Sequence, residues 1–106
     1  MPRRRRRRRV GFSPDFRRFS PEKGGGTGEV VLKMEEFEAI RLKDLESLDQ
    51  NEAAERMNIS QPTFHRTLVS AREKIADALV KGKTLRIRGG SYEMAENSSI
   101  RNDSRE

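Results

Sequence analysis

Gln61, His65 and Arg66 lie close together, and each carries groups that can bond the edge of a base. A guanidinium suits guanine and a carboxamide suits adenine. Around them Thr63, Arg72, Lys74, Arg86 and Arg88 offer the hydroxyl and cationic groups that hold phosphates, contacts that position a protein on a duplex without reading sequence. The chemistry these residues suit is recognition, with no bond made or broken. For a lone histidine such as His65, an ordinary surface role stands beside base contact as the alternative.

The elements that must carry these residues run from Asp49 to Ile75, DQNEAAERMNISQPTFHRTLVSAREKI. The pattern predicts a helix from about Gln50 to Met57, with Ala53, Ala54 and Met57 facing inward. Asn58 follows where the chain must turn through a left-handed conformation, which Asn tolerates better than most residues. Ile59 plugs the corner, and Ser60 is placed to cap a second helix by accepting from the Thr63 amide. Pro62 falls in the first turn, where a missing N–H deprives no hydrogen bond. At 100° per residue, Phe64, Leu68, Ala71, Ile75 and Ala78 share one face, while Pro62, His65, Arg66, Val69 and Glu73 lie opposite. Two helices joined this way can lay the second into the major groove of DNA. An amphipathic hairpin with a solvated polar face is the plain alternative, but cap, turn residue, small inward alanines and stripe agree in register.

The stretch resembles the helix-turn-helix of region 4 of bacterial sigma factors, without a gap, through Glu52, Ala54, Met57, Ile59, Ser60, Thr63, Phe64, Leu68, Ala71, Arg72, Lys74 and Ile75. The wider frame, PRRRRRRRV, EVVLKMEEFEAIRLKDLESL and ALVKGKTLRIRGG, resembles domain of unknown function 134, a set of small archaeal and bacterial proteins for which DNA binding is expected. Three departures stand out. Asn58 replaces the usual Gly of the turn. The basic residue often found at the position of Thr67 is absent, with Arg66 beside it, so sigma-type phosphate contacts transfer poorly. No cysteine stands near the N-terminal arm, where the resemblance implies one in many relatives.

A chain of 106 residues with 32% hydrophobic and 38% charged residues allows one small domain with appendages. No apolar run is long enough to span a bilayer, and the Arg-rich start lacks the apolar stretch of a secretory signal. Zero cysteines exclude disulfides and thiolate chemistry. One histidine argues against a zinc site or a histidine-based catalytic constellation. The expectation is therefore a cytoplasmic protein, not an enzyme, with no cofactor and no metal. The net charge of +6 divides unevenly: +8 over residues 1–28, −5 over 29–57, +5 over 58–90 and −2 over 91–106. The second predicted helix and its sequel are basic while the elements before it are acidic, a division that would orient a polyanion on the surface.

The seven arginines Arg3, Arg4, Arg5, Arg6, Arg7, Arg8 and Arg9 form an unbroken run that is expected to stay disordered. Such an arm could follow phosphates, enter an A·T-rich minor groove or bind RNA. Residues 10–28 read as linker, with Phe12, Phe16 and Phe19 expected to pin it to the core, base stacking being the alternative. Glu29 to Leu32 is β-prone, and MEEFEAIRLKDLESL reads as a supporting helix with Phe37, Ala39, Ile40 and Leu45 inward and Glu35, Glu36 and Glu38 on a solvated face. Past a stop at Gly82, Lys83 to Arg88 alternates as a strand with Leu85 and Ile87 on one side, expected to pair with Val30 to Leu32. In the tail only Tyr92 is expected to dock.

These readings define a mainly α fold: a three-helix helix-turn-helix core, a short two-stranded β element, a disordered basic N-terminal arm and a disordered C-terminal tail. The domains are 1–28 (arm and linker), 29–90 (helix-turn-helix domain) and 91–106 (tail). The expected partner is double-stranded DNA, with transcription machinery or RNA bound through the arm as alternatives and no membrane. The oligomeric state stays open, a homodimer among the options.

Overall fold

The computed structural model describes residues 7–24 and 28–95. In chain order the elements are β1 (Arg8–Val10), β2 (Arg18–Phe19), β3 (Glu29–Leu32), α1 (Met34–Ile40), a π-helical turn (Arg41–Leu45), α2 (Gln50–Met57), α3 (Gln61–Lys81), β4 (Thr84–Ile87) and β5 (Tyr92–Met94). Helices dominate, as expected.

The predicted pairing forms: β3 and β4 run parallel, with Val30 opposite Leu85 and Leu32 opposite Ile87. Parallel strands need a long crossover, and here the three helices supply it. The sheet is larger than expected, because β2 adds antiparallel to the other edge of β4. A second, two-stranded sheet joins β1 to β5 in parallel, with Arg8 opposite Tyr92 and Val10 opposite Met94.

Two contiguous apolar clusters hold the helices. One packs Ala39, Leu42, Ala53, Ala54, Met57, Phe64 and Leu68, with Ile40, Leu48 and Ile59 against it. The other packs Val10, Leu32, Met34, Ala71 and Ile87, closed by Phe37, Ile75, Leu85 and Tyr92. The stripe on α3 feeds both clusters, so this one helix ties the helical side to the sheet side. Tyr92 docks as expected.

Several expectations require correction. Arg8 and Arg9 belong to a strand, not a disordered arm. Like charge does not prevent pairing here, because strand bonds are made by the backbone, and fully buried Val10 anchors the end of the strand. Arg3 to Arg6 and residues 96–106 lie outside the described residues. The pairs β1–β5 and β2–β4 join strands that the boundaries at 28 and 90 assign to different segments. Phe12, Phe16 and Phe19 are 45%, 75% and 52% exposed, so Val10 takes the anchoring role they were expected to fill. Phe12 lies on Phe37, ring centroids 6.2 Å apart, with the Arg41 guanidinium 5.4 Å from its centroid.

The supporting helix departs in two ways. Glu35, Glu36 and Glu38 are buried rather than solvated. Leu45 is 74% exposed while Leu42 fills the core. The π turn accounts for Leu45: its bonds reach one residue further than those of an α-helix, as Glu46 N–H donates to the Arg41 carbonyl at 2.9 Å. That extra residue rotates the following side chains off the helical stripe.

Candidate nucleic-acid interface

The turn between α2 and α3 is built as its residue types require. The Asp49 carboxylate accepts from Glu52 N–H at 2.8 Å and starts α2. Asn58 ends it in the left-handed region, φ 60° and ψ 43°. Ile59 N–H then donates to the Ala54 carbonyl at 3.1 Å. Ser60 Oγ accepts from Thr63 N–H at 3.2 Å and opens α3, which runs to Gly82 at φ 70°. Phe64, Leu68, Ala71 and Ala78 are buried along one side.

Gln61, His65 and Arg66 are all exposed. Arg66 Nη2 donates to Thr63 Oγ1 at 3.2 Å, and His65 Nδ1 lies 3.4 Å from Gln50 Nε2 on α2. The three predicted base-reading side chains thus all stand exposed on the first turns of a long helix, His65 beside α2 and Arg66 beside Thr63.

The predicted phosphate contacts are less uniform. Arg72 grips Asp44 through two bonds, of 2.6 and 3.2 Å. The Arg72 bond lowers the Asp44 carboxyl below its ordinary range, against a smaller opposing effect of burial. Lys74 Nζ donates to Glu36 at 2.8 Å, and Arg86 to Glu29 at 3.0 Å. Thr63 is half-buried, and Arg88 is exposed just beyond β4. Three of the four cations are therefore engaged with carboxylates of the same chain.

Composition did not mark the buried glutamates, which organise the surroundings of α3. Glu36 accepts from Lys33 N–H at 2.9 Å, Ser70 Oγ at 2.7 Å and Lys74 Nζ at 2.8 Å. Burial pushes its carboxyl up, but the bonds from Lys74, the Lys33 amide and Ser70 together hold it below the usual range. Glu38 takes two bonds from Arg41, at 2.8 and 2.9 Å, and one from Gly11 N–H at 2.9 Å. The Glu38 hydrogen bonds are the largest cause of the raised Arg41 pKa, opposed by burial. A glutamate three residues past a helix start and another three residues before an arginine were the available signals. Among the described residues no group of three His, Cys, Asp or Glu could hold a metal ion, and no helix is long and apolar enough to cross a membrane.

A family model described as "Protein of unknown function DUF134" matches residues 1–95. The chain belongs to this family. Among DUF134 relatives, a UPF0251 protein of Caldicellulosiruptor saccharolyticus is 59% identical over 92 residues, covering 87% of this chain and 66% of the relative. That of Halothermothrix orenii is 53% identical over 91 residues, 84% of this chain and 67% of the relative. The protein of Methanothermobacter thermautotrophicus is 53% identical over 92 residues, but this chain spans only 49% of its length. No solved structure matches.

Proposed function

We propose that the protein is a sequence-specific DNA-binding protein acting in transcription, inserting α3 from Ser60 onward into the major groove as a helix-turn-helix does. The observation that carries this reading is that Gln61, His65 and Arg66 all stand exposed on the first turns of α3, whose Phe64 and Leu68 are buried in the core. The resemblance of the α2–α3 stretch to sigma region 4 supports it, as does the basic charge from residue 58 to 90. Base edges are read by Gln61, His65 and Arg66. Phosphates fall to Thr63, Arg88 and the arginine arm, with Arg72, Lys74 and Arg86 contributing where their carboxylate partners release them. No catalytic step or cofactor enters this mechanism, and the partner is duplex DNA.

Selection of bound sequences from random duplex DNA, with RNA as competitor, tests the reading. Enrichment of a defined motif that RNA does not compete away is the expected result. Failure to enrich any sequence overturns it, and preferential capture of RNA moves function to the arm. A protein-interaction role has one observation in its favour: a groove of about 670 Å³ at the π turn, lined by Phe12, Phe37, Ile40, Leu45 and Arg56.

A further inference from the structure

Beside the exposed flank of α3 lies a polar pocket of about 280 Å³, lined by Arg8, Lys33, Thr63 and Arg66 together with Glu35 and Glu36. The two carboxylates already have partners. Glu36 accepts from the Lys33 amide, Ser70 and Lys74, and Glu35 accepts from Ser91 N–H at 3.2 Å. Neither bonds the side chains of Arg8, Lys33 or Arg66. Arg8 Nε is buried with no acceptor, the one such side-chain atom among the described residues. Buried donors are nearly always satisfied, so an exception asks what acceptor belongs there. Arg8 is also held in place: its strand pairs with β5 opposite Tyr92, and Val10 two residues on is fully buried. A guanidinium carried on a paired strand beside two further cations, with hydroxyl donors nearby, suits a tetrahedral oxyanion better than a carboxylate already bonded elsewhere.

We propose that this pocket seats one backbone phosphate of the duplex that α3 reads, held by Arg8 and Lys33 with Arg66 and the Thr63 hydroxyl at the rim. The proposal rests on the DNA-binding reading above, since Arg66 and Thr63 belong to both surfaces. It gives the arginine run a fixed end at Arg8, beside the α3 interface.

The test compares the unsubstituted protein with Arg8→Gln, and with Arg18→Gln as an equal loss of charge outside the pocket, on a selected duplex across a salt series. Arg8→Gln should weaken binding roughly tenfold and reduce the salt slope by about 0.9, leaving the ranking of duplexes unchanged. Arg18→Gln should do neither. A scan of single methylphosphonates should then find one position where the neutral linkage costs the unsubstituted protein as much as Arg8→Gln does, and where Arg8→Gln loses nothing more. Equal losses for the two variants, or no such position, overturn the phosphate seat while leaving DNA binding standing. An unsubstituted protein that binds no duplex overturns both. Inorganic phosphate that saturates the pocket without changing duplex affinity assigns it to free phosphate and overturns the proposal. Should Arg8→Gln fail to fold, Lys33→Gln, which leaves β1 intact, takes its place in the same scan with the same expected overlap.

Discussion

Arg66 and Glu36 show how differently charged residues of this chain are used. Arg66 is exposed and bonds the neighbouring Thr63 hydroxyl, so its removal should barely touch folding, within about 0.5 kcal/mol. Arg66→Ala should instead relax base preference at one position and cost about 1–3 kcal/mol of binding. Competition between matched and singly altered duplexes reads this directly, and a destabilised protein with intact preference would reverse the assignment of faces. Glu36 is 6% exposed in its side chain and ion-paired to Lys74. Because its folded carboxyl is held below its unfolded value, the unfolded chain binds the proton first as pH falls. Its stabilisation is therefore complete above about pH 4.3 and fades as pH drops through the lower folded value. Asp44 adds the same sign through Arg72. Thermal melts from neutral pH into acid should show a falling midpoint that Glu36→Gln partly flattens. Glu36→Ala should cost about 1–3 kcal/mol at neutral pH by stranding its donors. Charge counts alone place these glutamates in water; their burial depends on donors from Lys33, Ser70, Lys74, Arg41 and Gly11, most of them distant in sequence.

Among the elements, the α2–α3 pair was legible nearly to the residue, because every signal in it is local. Ser60 caps through its own third neighbour and Asn58 turns the chain alone, while the Asp49 cap of α2 was not predicted. At φ 60° a β-branched side chain meets the carbonyl, at a cost of about 1–2 kcal/mol. Asn58→Val should therefore lower stability by that amount in urea denaturation, whereas Asn58→Gly should hold or gain. Equal effects of the two would show that the side-chain amide, not the backbone angle, matters there. The supporting helix was less legible. Its α-helical spacing is sound through Ile40, but the π turn from Arg41 to Leu45 shifts the register and turns Leu45 outward. Helical periodicity assumes a constant turn and so carries no sign of the inserted residue.

For the molecule as a whole, the acidic block at residues 29–57 counts for less at the surface than its −5 suggests, since three of its glutamates are buried. The arginine run is likewise two things. Its last residues belong to β1, while Arg3 to Arg6 precede the described chain. Deleting Arg3 to Arg6 should leave the melting midpoint in place and flatten the dependence of DNA affinity on salt, by up to about 0.9 for each phosphate that the arm no longer neutralises. The ranking among duplexes should survive. Extending the deletion through Val10 should lower the midpoint as well, because it removes a fully buried side chain and a strand. A midpoint indifferent to the longer deletion would show that β1 contributes nothing to the fold.

The sequence by itself determined the helices of the α2–α3 pair, the Ser60 cap, the Asn58 turn, the inward stripe and the strand character of residues 83–88, all consequences of neighbours within a few residues or of alternation along one strand. Only the tertiary structure decided that Arg8 sits in a strand and that Arg72, Lys74 and Arg86 are held by carboxylates. It also decided that Phe12, Phe16 and Phe19 leave the anchoring to Val10. Those outcomes depend on which distant partner arrives, and a long side chain or a short strand takes its environment from that partner rather than from its own neighbours.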